Sequence, residues 1–521
     1  MREPNGPNGP NGADPVDVVI WILCAAGAAF GAWALQVGWH HDILDVHGWR
    51  QTHTAISAYE LVQGGPFWRY RTPIFGPPWQ WPLELPVYQW LVAVVSRALP
   101  LGLETAGRAV SVAFFAGVLL AVWTTLDLFG VSTRHRPVFL ALLLTSPLYI
   151  FWSRTFMIES TALCLAVAYV AAVHRATRDD DASAAAPRAG IIVFAAILGA
   201  LAGATKVTTL TPFLVAAMLL VAVRSYGSRW SRRALVWTIV GALVVPALAT
   251  AGWLAFADHV KAAAALTREL GWSEESAQRF GSLADRFNLR AWIAAPANAI
   301  LGRTRHTVVG SVWVFGGALV AALTRPRRFV LCLACLALYA LPIALFQPLF
   351  RVHVYYQYAN GLFLTLVVGC GVVTCLEARR QWTRWVGVAL LAWALTATAK
   401  NYLAGYYVDQ EAGSLAPMTL AILTERLTRP GDVMLIYGQE YSPALPYEAR
   451  RRAIMDWKNR SIDDPPIRDA VARLAAEGGR IGAVVVCGPA RAVEAVRANV
   501  PRLGFPVVPV HTEPYCDLYV R

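Results

Sequence analysis

The sequence predicts a polytopic α-helical membrane protein with a small extracytoplasmic α/β domain at its C-terminal end. Of the 521 residues, 56% are hydrophobic and only 15% are charged, and the mean hydropathy is +0.45. Apolar runs of membrane-spanning length recur as far as residue 400. Beyond that point the composition becomes that of a soluble domain.

Eleven apolar segments are predicted to be membrane-spanning helices. They lie at roughly 17–37, 108–128, 137–153, 158–175, 189–205, 207–224, 234–256, 307–323, 329–347, 358–376 and 384–400. A further apolar segment at 85–99 is short and contains Pro86, Gln89, Ser96 and Arg97. We therefore expect 85–99 to form an interfacial juxtamembrane helix and not to cross.

The distribution of arginine predicts the orientation of the helices. If 85–99 does not cross, the arginine clusters near residues 134, 178, 229, 327 and 380 all lie on one side. The positive-inside rule places that side in the cytoplasm. The N-terminus is then inside, the loops 38–107 and 257–306 are outside, and so is the C-terminus. The net charge of +13 is explained by these loops, so it does not indicate binding to nucleic acid.

Three domains follow from these boundaries. Residues 1–16, with the repeat NGPNGPNG, are predicted to be a disordered cytoplasmic N-terminus. Residues 17–400 form the transmembrane domain, and 401–521 form the soluble α/β domain. In the latter, 432–437 and 481–486 are predicted to be buried strands, and 464–477 an amphipathic helix. Cys487 and Cys516 both lie in this domain, and the sequence leaves open whether they pair.

The first outer loop contains a candidate catalytic acid, Asp45, in the run Asp-Val-His-Gly-Trp-Arg-Gln-Thr. A carboxylate at the membrane boundary is suited to act as a general base. It is equally suited to cap the helix that follows, or to pair with Arg50. Asp42, three residues upstream, is the competing acid for the same role.

Glu159 is the second candidate acid. It lies five residues after Arg154, where the third predicted span ends and the fourth begins. Charged residues at a membrane boundary cost free energy unless they are paired or functional. Glu159 is therefore predicted either to share the catalytic work with Asp45 or to form an ion pair with Arg154. If a divalent metal is bound, Asp45, Glu159 and His353 are its candidate ligands.

Basic and aromatic residues at the same side are candidates for binding the substrate. Lys206 lies between two spans with almost no loop and suits a phosphate, although a lysine there also suits snorkelling to the interface. The run from Arg351 through His353 to Tyr356 begins the tenth predicted span. We expect Arg351, His353 and Tyr356 to contribute to the same site.

Several enzyme classes are not supported. The sequence contains no phosphate-binding loop of the G-x-x-x-x-G-K-[ST] type, and no G-x-G-x-x-G, H-E-x-x-H or G-x-S-x-G motif in a suitable context. An activated substrate is therefore expected to arrive through the lipid. The alternative class is a transporter or flippase of a lipid-linked or small substrate. Transporters usually carry charged residues near the bilayer midplane, and the predicted spans here are nearly free of charge at that depth.

Over about residues 15–400 the chain resembles the GT-C superfamily of integral membrane glycosyltransferases. The nearest branch is that of the protein O-mannosyltransferases and the aminoarabinose transferase of lipid A. The resemblance rests on an acid in the first outer loop, a following helix that contains arginine, a Pro-Pro-aromatic stretch, a second acid and a lysine. In this chain these are Asp45, 47–52, 77–90, Glu159 with Arg154, and Lys206.

The resemblance implies an enzyme that moves a hexosyl or pentosyl group from a polyprenyl-phosphate donor to a hydroxyl on a lipid, glycan or protein. It implies a protein of the bacterial plasma membrane, with Asp45 as the catalytic acid and Glu159 as the second acid. His47, Arg50, Gln51, Arg154 and Lys206 are then candidate substrate-binding residues. No cofactor is certain, and a divalent metal is the one candidate.

Overall fold

The computed structural model describes residues 14–178, 188–226, 230–270, 276, 279–288, 300–413 and 418–521. The predicted disordered N-terminus lies almost wholly outside these residues, as does much of the predicted 257–306 loop. The described part is mostly helical and ends in one small sheet.

Helices cover all eleven of the predicted spans, and further helices lie in the loops between them. Those before residue 270 are α1 (Pro15–Gln36), α2 (Gly48–Val62), α3 (Val87–Ala98), α4 (Leu103–Thr125), α5 (Arg136–Thr145), α6 (Pro147–Trp152), α7 (Glu159–Ala176), α8 (Ala189–Thr205), α9 (Val207–Ser225), α10 (Arg232–Ile239), α11 (Val245–Lys261) and α12 (Ala265–Arg268). The next are α13 (Leu283–Phe287), α14 (Ile300–Thr304), α15 (Val312–Ala322), α16 (Pro326–Leu345), α17 (Gln347–Val352), α18 (Gln357–Leu376), α19 (Gln381–Ala404), α20 (Tyr406–Ala412) and α21 (Thr419–Leu427).

The number of membrane spans is smaller when length and hydropathy are both required. Within the described residues, six helices are long and apolar enough to cross a membrane, or seven if the bent pair 300–309 and 312–322 counts as one span. Every residue of α18 is buried, which places this helix at the centre of the bundle. The predicted total of eleven therefore stays a prediction.

The long loop after α1 is folded. It contains α2 and α3, and α3 is only 12 residues long. At 1.5 Å per residue this helix reaches about 18 Å, well short of a hydrocarbon core of about 30 Å. Its length thus agrees with the prediction that 85–99 does not cross.

The C-terminal sheet has five strands in the order β2-β1-β3-β5-β4. The elements of this domain are β1 (Val433–Tyr437), α22 (Ala444–Glu448), β2 (Arg452–Asp456), α23 (Pro465–Ala476), β3 (Ile481–Cys487), α24 (Glu494–Arg502), β4 (His511–Thr512) and β5 (Cys516–Val520). The strands β2, β1 and β3 are parallel, and β5 is antiparallel to β3. Cys487 and Cys516 form a disulfide between β3 and β5.

The long loop and the C-terminal domain are joined by backbone pairing. The amides of Ala453 and Met455 in β2 donate to the carbonyls of Pro73 and Ile74 at 2.9 and 2.8 Å. The buried Glu60 of α2 also accepts two hydrogen bonds from Arg452 at 3.1 and 3.0 Å. The loop thereby covers the outer edge of the sheet, which would otherwise be open to pairing with another chain.

Candidate functional site

A cavity of about 220 Å³ lies between the long loop and the break that separates α8 from α9. Lys206 occupies that break with an extended backbone, at φ −158° and ψ 101°. Beside the break, α8 and α11 can approach closely because Gly203 carries no side chain: a Cβ on it would lie 1.9 Å from Oγ1 of Thr250 in α11. The break thus presents the Lys206 side chain to the cavity.

Lys206 is held by an acid and two aromatic rings. Its Nζ forms an ion pair with Oε2 of Glu159, and it lies 4.4 and 5.2 Å from the ring centres of Tyr356 and Tyr355. The side chains of Lys206 and Glu159 are only 10% and 2% exposed. Removing such charges from water is costly, and the pair together with the cation–π contacts offsets that cost. Glu159 therefore pairs with Lys206, and the predicted alternative partner Arg154 binds elsewhere.

Arg50 is the second cation of the cavity. Its Nη2 donates to both carboxylate oxygens of Glu84 at 3.2 and 3.1 Å, and Nε2 of Gln89 donates to the same carboxylate at 2.9 Å. Arg50 also makes a 2.7 Å contact with Nδ1 of His53. This arrangement fixes the guanidinium in one position, which is a requirement for binding an anion with defined geometry.

An apolar groove of about 790 Å³ adjoins this cavity. It runs between α8, α11 and the loop, and includes Phe67, Leu201, Trp253 and Phe256. Ala204 lines both the groove and the cavity. The cavity therefore suits the charged head of a ligand, and the groove suits its hydrocarbon tail.

Asp45 lies beside the first turn of α2. Its Oδ1 accepts a hydrogen bond from Nε2 of Gln51, and Oε1 of Gln51 accepts from the backbone N–H of Phe156 at 3.0 Å. The ring of Phe156 packs against Gly107, where a Cβ would lie 2.3 Å from it. Gln51 thus connects the acid to the turn before α7. The predicted pairing of Asp45 with Arg50 does not occur, because Arg50 binds Glu84.

Two buried arginines shape the turn that precedes Asp45. Arg108 donates to the carbonyls of Trp39 and His41, each at 2.5 Å, and to that of Asp42 at 2.9 Å. Arg154 donates to the carbonyl of Gly38 at 2.7 Å. Both side chains are almost fully buried, at 2% and 1% exposure. The turn is therefore held rigidly and carries positive charge close to the acid.

The surroundings of Asp45 favour a base that is active near neutral pH. Burial raises the pKa of the Asp45 carboxyl to about 6, against the opposing effects of Arg154, the Gln51 hydrogen bond and Arg108. Such a group is mostly ionised at pH 7 and is still a stronger base than an ordinary aspartate. Asp45 is therefore the better placed of the two candidate acids to accept a proton.

Histidines connect the Asp45 turn to the cavity. The ring of His47 lies 5.4 Å from the ring of His353 and 5.4 Å from that of Tyr355, and both of those residues line the cavity. Burial lowers the pKa of His353 to about 4, so this imidazole is neutral at pH 7. It can accept or donate a hydrogen bond there, but it adds no charge for an anion.

Of the predicted site residues, Arg50, Lys206, His353 and Tyr356 line the cavity. Five others lie outside its lining, namely Asp45, Glu159, His47, Gln51 and Arg154. Two predictions need correction. Arg351 is exposed and does not line the cavity, and its carbonyl accepts a hydrogen bond from Arg303 at 2.9 Å. The second correction concerns the candidate metal ligands. Within the described part of the chain, no three His, Cys, Asp or Glu side chains are arranged to hold a metal ion. Glu159 is engaged with Lys206, so Asp45, Glu159 and His353 do not form such a set.

Sequence reasoning missed Glu84, Arg108 and Tyr355 as parts of the site. Glu84 is the one acid in the run Trp-Pro-Leu-Glu-Leu-Pro, and an isolated carboxylate among apolar residues signals a buried partner. Arg108 is the first residue of a predicted span, and an arginine at that position also indicates a buried partner. Arg279 also lines the cavity, and it belongs to the 257–306 loop, whose arginines the resemblance made candidates for stabilising the leaving phosphate.

Comparison with solved structures identifies the fold. ArnT from Cupriavidus metallidurans bound to undecaprenyl phosphate superposes with a TM-score of 0.61 at 14% identity, over 96% of this chain and 97% of that chain. The archaeal oligosaccharyltransferase AglB from Archaeoglobus fulgidus, in complex with an inhibitory peptide and a dolichol-phosphate, gives 0.57 at 10% identity over 90% and 69%. No family model and no curated protein matches the sequence. Both neighbours are GT-C superfamily members, so the chain has the GT-C fold that the sequence resemblance predicted.

Proposed function

We propose that this protein is an integral membrane glycosyltransferase that moves a sugar from a polyprenyl-phosphate donor to a hydroxyl acceptor. The observation that carries the proposal is that the cavity with Lys206 and Arg50 and the apolar groove are neighbours that share Ala204 in their linings. The cations suit the phosphate, and the groove suits the first isoprene units of the lipid. The two neighbours were solved with undecaprenyl phosphate and dolichol-phosphate, which supports the same class of donor.

In this mechanism Asp45 is the general base. The acceptor oxygen forms a bond to the anomeric carbon of the sugar while its proton passes to the Asp45 carboxylate. The bond from the anomeric carbon to the phosphate oxygen breaks, and the lipid phosphate leaves with that electron pair. Lys206 and Arg50 stabilise the charge that develops on the leaving phosphate. Glu159 holds Lys206 in position.

The orientation of the molecule belongs to the same proposal. The arginine clusters place the loop 38–107 and the domain 401–521 outside the plasma membrane, with residues 1–16 inside. The disulfide between Cys487 and Cys516 supports this placement, because disulfides persist mainly in oxidising compartments. The acceptor, whether a lipid, a glycan or a protein, then meets the donor at the extracytoplasmic face.

Removing the cation from the cavity tests the proposal. The double variant Lys206→Met with Glu159→Gln avoids leaving a buried unpaired carboxylate, so the fold should be retained. We expect its apparent affinity for a purified polyprenyl-phosphate sugar to fall about ten- to a hundredfold, the scale of losing a hydrogen bond to a charged group.

Arg351→Met is the matched control, because it removes a cation that lies on the surface. Donor titrations of both variants, in the same detergent, compare the two positions directly. Normal donor use by the double variant would place the leaving phosphate away from Lys206 and would reject the proposed site.

A further inference from the structure

A second pocket, of about 540 Å³, lies in the C-terminal domain at the carboxyl ends of its parallel strands. Gly438 and Gln439 follow β1, Trp457 and Asn459 follow β2, and Pro489 follows β3. From β1 the chain moves to β2 on one side, and β3 then lies on the other side of β1. In open α/β sheets this reversal of strand order opens a crevice in which ligands bind.

The backbone around this pocket is shaped for close approach. Gly438 has φ +77°, and a Cβ on it would lie 1.9 Å from the carbonyl oxygen of Cys487. Two residues of the lining that are not glycine, Glu440 and Asn459, also have positive φ values of 50° and 55°. Non-glycine residues in this conformation are strained and cluster at ligand sites.

The side chains of the pocket combine aromatic faces with groups that bind hydroxyls. Trp457 and Tyr515 supply the rings, and Tyr515 is 58% exposed. Gln439, Glu440, Ser442 and Asn459 supply amide, carboxylate and hydroxyl groups. Oδ1 of Asn459 is buried without a hydrogen-bond partner in the described part of the chain. A buried acceptor without a partner is uncommon, and a donor on a ligand that reaches Asn459 would satisfy it.

The pocket is connected to the donor cavity by a row of aromatic contacts. The ring of Trp457 lies 5.6 Å from Phe75, Phe75 lies 4.8 Å from Trp81, and Trp81 lies 4.9 Å from His53. Trp81 and His53 line the cavity, and so does Tyr441, which follows Glu440 directly in the chain. The loop with Glu440 and Tyr441 therefore contributes to both places, and two ring contacts separate Trp457 in the pocket from Trp81 in the cavity.

We propose that this pocket binds carbohydrate, namely a glycan part of the acceptor. Sugar rings present apolar C–H faces that pack on aromatic rings, and hydroxyls that pair with amides and carboxylates. A glycan on a lipid and a glycan on a protein share this chemistry. The inference rests on the proposed transferase function for its biological role, but the binding itself is independent of the donor.

Saturation-transfer NMR on the full-length protein in detergent micelles tests the site. The probes are the methyl glycosides of glucose, galactose, mannose and arabinose at millimolar concentration, without donor lipid. We expect transfer to at least one glycoside in the unmodified protein. Tyr515→Ala should raise its dissociation constant about tenfold, the scale of losing one aromatic contact, whereas Tyr515→Phe should retain binding.

Asn459→Gly is the second variant. Glycine accepts the positive φ without strain, so this change removes the amide without a cost to the fold, and we expect it to weaken binding as well. Absence of transfer to every glycoside would overturn the proposal. So would transfer in Tyr515→Ala and in Asn459→Gly that is as strong as in the unmodified protein.

The double variant Lys206→Met with Glu159→Gln separates this inference from the proposed function. It should bind the glycoside as the unmodified protein does, because it changes only the donor cavity. If the double variant uses donor normally while Tyr515→Ala no longer binds the glycoside, the carbohydrate site is supported and the proposed donor site is rejected.

Discussion

Asp45 and Glu159 lie at the same end of the helix bundle, and their surroundings differ in the partner that each carboxylate has. Glu159 is fully buried and forms an ion pair with Lys206. Asp45 accepts a hydrogen bond from the neutral amide of Gln51, and within the described residues no Lys or Arg side chain lies at ion-pair distance from it. Its two nearby arginines bind backbone carbonyls instead.

This difference assigns separate roles to two acids that look alike in the sequence. The Glu159 carboxylate is engaged in an ion pair with Lys206, which fixes the position of that cation. A carboxylate that is partly desolvated and held by an amide keeps a raised pKa and stays able to accept a proton. We therefore infer that Glu159 positions a cation and that Asp45 carries out the proton transfer.

The largest effect is expected from breaking the Glu159–Lys206 pair on one side only. Glu159→Gln leaves a buried lysine without its counter-charge, which typically costs about 3–5 kcal/mol of stability. We expect a clear fall in the melting temperature of the purified protein, measured by thermal unfolding in detergent.

Removing both charges is the control for this prediction. In the double variant Lys206→Met with Glu159→Gln, neither charge remains buried, so the melting temperature should return close to that of the unmodified protein. If Glu159→Gln alone is as stable as the unmodified protein, the ion pair between Glu159 and Lys206 does not stabilise the fold.

The next effect in size is on catalysis at Asp45. Asp45→Asn keeps the size of the side chain and can still accept from Gln51, but it cannot take the proton. We expect the turnover rate to fall by about a hundredfold or more, the usual scale for general-base catalysis. Asp42→Asn, whose Oδ1 accepts only a 3.2 Å hydrogen bond from the Leu44 amide, should keep most of the activity.

Stability should separate this role from a structural one. The pKa of Asp45 is raised in the folded state, from 3.8 to about 6, so ionisation destabilises the fold above pH 6. That penalty disappears as the pH falls from about 6 towards 3.8. Asp45→Asn removes it at neutral pH, so its melting temperature at pH 7 should not fall. Full activity of Asp45→Asn together with loss in Asp42→Asn would transfer the base to Asp42.

The sequence predicted the fold class, and it singled out several residues of the candidate site because each carries a local signal. Lys206, Glu159 and Arg154 are charges at the ends of apolar segments, where an unpaired charge is costly. The strands β1 and β3 were predicted as continuous apolar runs, and α23 by its periodicity.

The pairing among these residues needed the three-dimensional structure. Glu159 is five residues from Arg154 in sequence but pairs with Lys206, 47 residues away. Arg50 is paired with Glu84, 34 residues away. Sequence spacing favours local partners, whereas a folded bundle offers distant ones, and the break at Lys206 that creates the contact has no sequence motif. Arg351 had the same local signal as Lys206, yet it lies on the surface.

The smallest effect is expected on the pH dependence of the rate, through Gln51. In the unmodified protein, the rate should rise with pH through a midpoint near 6, since the ionised form of Asp45 is the active one and burial raises its pKa to about 6. Gln51→Met removes the N–H that stabilises this anion. A hydrogen bond to a charged group contributes about 1.5–3 kcal/mol, so the midpoint should rise by about one to two pH units. The rate at pH 7 then falls about two- to tenfold, and it recovers as the pH rises above the new midpoint. Gln89→Met removes a comparable buried amide from Glu84 and not from Asp45, so its midpoint should stay near 6. A midpoint that is the same in Gln51→Met and in the unmodified protein would show that the titrating group is not Asp45. The assignment of the proton transfer to Asp45, in contrast to Glu159, would then be wrong.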